Sequence, residues 1–249
     1  MLQKVKLFIY LTALQKQWNK LWMRFDSPIS ICKLCFKEIH PTSWQHLFHK
    51  NMPICGNCFR EFNPLFLKTK IGDTDVLSVY GYDETIRDKL YRLKGCHDIE
   101  LAPIFLAFFL VEISIRYWGY VMVPAPSWHE DDEKREFNHV VEIFKSIPLK
   151  MVRTLVKTEK IKQADLHFAE RQKIGQRIII TENFDFTGKN VLFVDDVMTT
   201  GATSKACVEL LKKAGARKVK ILVMSKTIDP KEKPKEGVNP NQDTLRIPT

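Results

Sequence analysis

The chain has 249 residues, 45% of them hydrophobic and 27% charged, enough to bury a sizeable core in one or two domains. Ten glycines and twelve prolines exclude a fibrous or low-complexity protein, and the apolar content excludes a wholly disordered one. The formal charge of +10 is uneven: residues 1–70 hold eleven Lys/Arg against three Asp/Glu, residues 71–150 nine against fourteen, and residues 151–249 nineteen against twelve. A basic first third on a less basic body points to a polyanionic partner, with ordinary solvated lysine as the alternative.

Residues 1–28 interleave Leu2, Val5, Phe8, Ile9, Leu11 and Leu14 with Lys4, Lys6 and Lys16. That pattern fits an amphipathic helix that packs on the body or lies peripherally on an anionic membrane. The KLFIYLTAL stretch within it is short and lacks a small-residue cleavage site, so it does not read as a secretory signal. Next come Cys32, Cys35, Cys55 and Cys58, as CKLC and CGNC nineteen residues apart. Two residues between cysteines turn both sulfurs toward one point, and two such turns complete a tetrahedron of thiolates for a structural Zn²⁺. A disulfide framework is the competing reading and would require export. His40, His46 and His49 lie between the knuckles and read as surface residues. Trp44, Phe48 and Phe59 read either as stacking platforms for a nucleic-acid strand or as the small core a zinc module needs. Cys96 and Cys207 stand alone, each a small core residue by default.

Val76 to Tyr80 reads as a strand, Asp83 to Lys94 as a helix started by an Asp cap, and Ile99 to Arg116 as one apolar helix. Tyr120 to Val123 is a buried strand ending at Pro124-Ala-Pro126. Asp131 to Ser146 reads as a helix and Leu149 to Leu155 as a strand. Residues 157–175 are polar, basic and without clean periodicity, which suggests a mobile loop. Arg177 to Thr181, Val191 to Val194 and Val219 to Met224 read as strands, and Ala202 to Ala214 as a helix closed by Gly215. Apolar strands alternating with helices predict an α/β fold with a parallel sheet covered on both faces. Residues 229–249 are proline-rich and polar and read as a flexible tail.

The sharpest motif runs from Val191 to Thr203, VLFVDDVMTTGAT. An apolar strand ends in the adjacent carboxylates Asp195 and Asp196, placed where open α/β sheets bind ligands and suited to accept hydrogen bonds from ribose hydroxyls. Val197 and Met198 lead into Thr199, Thr200, Gly201, Ala202 and Thr203, small and hydroxylated, which open a helix. Their N–H groups and hydroxyls can wrap a phosphate at the positive end of the helix dipole. Ribose beside phosphate describes a 5-phosphoribosyl group. A plain strand-to-helix turn would explain one Asp or one Thr, not the whole set. Walker and GxGxxG patterns are absent.

This loop resembles the phosphoribosyl-pyrophosphate (PRPP) loop of type I phosphoribosyltransferases, and residues 31–228 resemble the ComF family (ComFC/GntX-like) of natural competence. The similarity covers both CxxC pairs, YDETIRDKLYRLK, VPAP at 123–126, REFNH at 135–139, KQADLHFAER at 162–171 and the loop. The resemblance implies a zinc module over 29–70 and a type I phosphoribosyltransferase-like domain over 71–228, flanked by the basic, amphipathic segment 1–28, which has no clear counterpart in the family, and the tail 229–249. It implies PRPP with Mg²⁺ as ligand, Arg135 and Arg171 as phosphate or pyrophosphate contacts with Lys162 as a further candidate, and a cytoplasmic location, extended to the inner membrane face by residues 1–28. It further implies single-stranded DNA and a competence helicase as partners in DNA uptake. In an active transferase, Asp195 and Asp196 would be the catalytic pair, serving nucleotide salvage or modification. The chain departs from the family pattern at Glu136 and His139, where Gly and Gln are usual, at Ile174, where Asn is usual, and in the acidic run His129-Glu-Asp-Asp-Glu133.

Overall fold

The computed structural model describes residues 31–39, 52–157, 178–181 and 184–228. The expected N-terminal helix, most of the 157–175 loop with Lys162, Arg171 and Ile174, the tail, Trp44, Phe48 and the three knuckle histidines lie outside these residues. Five strands form one sheet in the order β1-β2-β7-β6-β3: β1 Pro64–Ile71, β2 Thr74–Gly81, β3 Tyr120–Pro124, β6 Asn190–Met198 and β7 Lys218–Lys226. Pairing is parallel from β2 through β7 and β6 to β3. At the edge, β1 joins β2 in an antiparallel hairpin whose turn places Gly72 at φ +58°. The sheet is therefore mixed, not wholly parallel. Nothing in the sequence reading foresaw β1, because PLFLKTKI is a half-buried edge strand whose period-2 signal is confined to its last residues.

Alternation along β6 divides the core. Leu192 and Val194 join the cluster under α2 (Glu84–Gly95) and α5 (His139–Phe144), whereas Val191 and Phe193 join the one under α6 (Ala202–Lys213). Each long helix contributes a heptad-like stripe: Ile86, Leu90 and Leu93 from α2, and Cys207, Val208 and Leu211 from α6. Asp83 caps α2 by accepting the Ile86 N–H at 2.9 Å.

Several expected elements take a different form. The apolar segment 99–116 is not one helix: Pro103 cannot donate a backbone bond, and the chain forms 3-10 turns over Ile99–Phe105 and Ala107–Phe109 before α3, Leu110–Arg116. The helix expected over 131–146 is two helices. α4, His129–Arg135, ends at Glu136 in the left-handed region, and Asn138 caps α5 by accepting the Val141 N–H at 2.9 Å. The strand expected over 149–155 is a single parallel bridge, Met151 to Met122. β4, Leu155–Lys157, and β5, Ile178–Ile180, form a separate antiparallel pair outside the main sheet.

The cysteine knuckles pack directly on this body. Cys32, Ile54, Cys58 and Phe62 belong to the same buried cluster as α2 and α5. Phe59 stacks on Phe108 at 3.7 Å between ring centroids, a core role for one of the three candidate stacking aromatics.

Candidate functional site

The two adjacent carboxylates stand at the C-terminal end of β6, and the strand continues through them to Met198. β3 stops at Pro124 opposite Val194, while β7 runs on to Lys226 opposite Met198. The acids thus overhang the short side of the sheet beside Pro124-Ala-Pro126, at a crevice above the strand ends. Alternation sends them apart: Asp196 to the α2 and α5 face, Asp195 to the α6 face. Locally they still meet, since the Asp196 N–H donates to Asp195 Oδ1 at 2.9 Å.

Asp196 is buried and carries its own partners. Lys94 of α2 ion-pairs with its Oδ2, and His139 Nε2 of α5 stands 3.4 Å from the same oxygen. Arg135 lies 3.4 Å from His139 Nδ1, so that nitrogen accepts and Nε2 is the one facing Asp196. Burial works against the Asp196 carboxylate, but the His139 hydrogen bond and the Lys94 charge outweigh it and hold its pKa well below the usual range. Asp195 is shifted the other way, raised by burial and by the charge of its neighbour. One site holds a fixed anion beside a carboxyl that resists ionising.

The loop beyond is open. Thr199 and Thr200 are exposed, and Gly201 begins α6 at φ +75° with no side chain capping the helix. A Cβ at Gly201 would meet the flexible end of Ile71, Cδ1, at 2.7 Å, so glycine is favoured here mainly by the sign of φ. Among the described residues, the only side-chain bond to the first turn is weak, Ala202 N–H to Thr200 Oγ1 at 3.4 Å. Early N–H groups of a 12-residue helix are left facing the crevice, the arrangement that suits a phosphate.

Arg135 sits on α4, 4.0 Å from both Asp131 and Asp132, and lines a cleft of about 360 Å³ with Tyr82, Arg87, Tyr91, Lys94 and Val197. The acidic run does not crowd this cleft. Glu130, Asp131 and Asp132 occupy the first turn of α4, where they complement its dipole, and Asp132 turns inward to Ser127 and to Asn138 Nδ2 at 2.8 Å. Lys94 and His139 are the residues that the sequence reading quoted inside motifs without giving them a role. The signal was available in kind: two adjacent acids at a buried strand end require a nearby cation.

The second candidate site is the cysteine cluster. All four Sγ atoms lie within 4.8 Å of one another, with Cys32–Cys58 at 3.7 Å and Cys35–Cys55 at 3.8 Å. Those separations match the edge of a tetrahedron with metal–sulfur bonds of about 2.3 Å. The Cys55 N–H also points at Cys32 Sγ, 3.3 Å away, as knuckle amides do toward thiolates. Four cysteines in this geometry fit zinc.

A phosphoribosyl transferase domain model matches residues 138–244. The competence protein ComFC of Streptococcus pneumoniae is 27% identical over 143 residues, 57% of this chain and 64% of the relative. The chain thus resembles a ComF-family protein with a phosphoribosyltransferase domain. Its fold is type I phosphoribosyltransferase-like, preceded by the four-cysteine cluster. Two shorter similarities accompany these. Ribose-phosphate pyrophosphokinase of Pyrococcus furiosus is 43% identical over 54 residues, 21% of this chain and 19% of the relative. The transcriptional regulator GfcR 2 of Methanosarcina acetivorans is 40% identical over 77 residues, 27% and 38% respectively. The chain spans less than two thirds of the length of each of these relatives. Among the described residues, no helix is long and apolar enough to cross a membrane.

Proposed function

We propose that this protein binds PRPP with Mg²⁺ and acts in DNA uptake during natural competence. The observation that carries the ligand is the junction of β6 and α6: an ionised, buried Asp196 and its neighbour Asp195 at the strand end, followed within five residues by the uncapped start of a helix. Asp195 and Asp196 would hold the ribose hydroxyls, and Thr199 to Thr203 the 5-phosphate. Mg²⁺ would neutralise the diphosphate, with Arg135 beside it and Arg171 as a further contact. In the transferase reading, the bond from ribose C1 to the diphosphate oxygen breaks as the bond to the acceptor forms. The Asp pair would then favour the positive charge that develops on the ring. The raised pKa of Asp195 and the fixed charge of Asp196 divide that work between an unequal pair.

Titration calorimetry with PRPP and Mg²⁺ tests the ligand. Heat of binding in the wild type, lost in Asp196→Asn, is expected; no heat from a folded wild type removes the PRPP reading. Pyrophosphate release with a panel of acceptors assigns the transferase role, and binding without turnover assigns a sensing or adaptor role.

The competence role rests on the ComFC relative, and single-stranded DNA as partner rests on the excess of Lys/Arg over residues 1–70. Anisotropy of a labelled strand should fall steeply with salt. Neutralising Lys4, Lys6, Lys16 and Lys20 together should weaken binding and flatten that dependence. An unchanged salt slope would move the strand to another face.

A further inference from the structure

We infer that Lys94 is the residue by which the site recognises the diphosphate arm of its ligand: it guards Asp196 in the free protein and turns to the diphosphate when ribose hydroxyls take its place on the carboxylate. The inference rests on the PRPP reading above and adds to it a residue on α2, outside the part of the chain that matches the transferase domain.

Three observations carry it. Lys94 is the ion-pair partner of Asp196, and the two differ in access: the Lys94 side chain is 32% exposed and that of Asp196 8%. The acid has no open side, while its cation has one. That open side lines the cleft of about 360 Å³, together with Arg87 and Arg135 and without a carboxylate among its lining residues. Among the described residues Arg87 ion-pairs only with Glu84, 3.5 Å away and almost fully exposed itself, and Arg135 stands 4.0 Å from its two acids. Three cations around one void repel one another, and an anion entering it removes that repulsion. Finally, His139 approaches Asp196 from α5, so the carboxylate keeps one donor when Lys94 leaves.

The exchange sets a chemical selectivity. A ribose 5-phosphate that takes Asp196 displaces Lys94 and offers it no new partner, leaving a cation beside two arginines. PRPP displaces the same cation and supplies phosphate oxygens within the cleft. Lysine suits the role because its ammonium is a compact charge with three donors on a flexible stem, able to change partners without a fixed fork geometry.

The test is calorimetry on the full chain with Mg²⁺, comparing PRPP with ribose 5-phosphate. The wild type should prefer PRPP, and Lys94→Gln should narrow that preference by about ten-fold or more, the loss of one charge-assisted contact. Lys94→Arg should restore most of it. A preference unchanged in Lys94→Gln, whether both affinities hold or fall together, overturns the inference, because Lys94 then only braces Asp196. Should that variant fail to fold, Arg87→Gln decides. It alters the same cleft without breaking the ion pair and should narrow the preference by roughly three-fold; no change overturns the inference. A folded wild type that binds no PRPP overturns the PRPP reading itself and this inference with it, so the two failures are told apart.

Discussion

The cysteine knuckles and the end of β6 both gather groups that become anionic, yet the fold neutralises them differently. At the knuckles four sulfurs lie within 4.8 Å, and Lys33, between the first two, turns away to ion-pair with Glu100. At the strand end the buried acid is already met by Lys94 and His139. The first site is arranged as a metal ion would require. The second stands on protein groups alone, so a ligand there must exchange with a cation already in place. Binding at the first site is completion and at the second substitution.

The largest effect should come from removing the metal. We expect about one zinc per chain by metal analysis, and loss of it in the double variant Cys32→Ser, Cys55→Ser. Ligation in such modules supplies on the order of 10 kcal/mol. Because Cys32, Ile54, Cys58 and Phe62 share a cluster with α2 and α5, chelation should lower the melting temperature of the whole body, not only loosen residues 31–60. Stoichiometric zinc retained in the double variant would refute the four-thiolate site.

The two acids should answer the same substitution with opposite signs. Asp196→Asn leaves Lys94 and His139 facing a neutral amide and should cost about 2 kcal/mol of stability, less than a fully dry pair because Lys94 is partly wet. PRPP binding should weaken by roughly 1.5–3 kcal/mol. Asp195→Asn should stabilise the protein at pH 7, since burial and Asp196 oppose its ionisation. The pH dependence follows. The Asp196 pKa is depressed on folding, so its contribution is complete above the unfolded value of about 3.9 and fades as pH falls further. The Asp195 pKa is raised, so its cost is complete above the folded value and shrinks as pH falls from that value toward the unfolded one of about 3.9. Urea unfolding at pH 7, at pH 4 and at about pH 2.5 measures both, the lowest pH reporting on Asp196; equal behaviour of the two variants would contradict the division between faces.

What the sequence made legible follows the range of each interaction. Both knuckles and the whole β6–α6 loop are contiguous, so spacing alone identified the four cysteines, the acid pair and Gly201. The partners of Asp196 come from α2 and α5, distant in sequence, and no local pattern joins them. Strands buried on both faces were found because their apolar runs are unbroken, whereas β1 shows little period and was missed. Helix ends were misplaced where one residue overrides a periodic pattern: Pro103 in the apolar segment, and Glu136 with Asn138 between α4 and α5.

A smaller effect should come from Gly201, which serves the open site mainly as backbone. Gly201→Ala must adopt φ +75° and displace Ile71, whose Cδ1 would lie 2.7 Å from the new Cβ. The left-handed conformation costs about 1–2 kcal/mol, and the end of a flexible side chain adds little. Stability should fall by that amount and PRPP affinity should fall with it, because the first turn of α6 moves. The clash comes from Ile71 beneath the loop, not from the space where a phosphate approaches, so a larger residue should be worse mainly in stability. An alanine variant that unfolds at the wild-type midpoint would mean the loop relaxes without strain.

The smallest expected effect lies beside the acid's second partner, His139. Glu136 ends α4 at φ +63°, a left-handed residue at a helix C-terminus, where glycine has no steric penalty. Its side chain is exposed, and Asn138 rebuilds the next helix two residues on. Glu136→Gly should therefore gain up to about 1 kcal/mol, the left-handed strain released less the backbone entropy that glycine adds to the unfolded chain. His139 begins α5 only three residues later, so the gain should come without change in PRPP affinity if α4 and α5 keep their places. Urea midpoints and calorimetry on one variant separate the two readouts. A rise in stability accompanied by weaker binding would show that the strained corner helps aim His139 at Asp196, and that the second site's protein partners are held in place by strain as well as by charge.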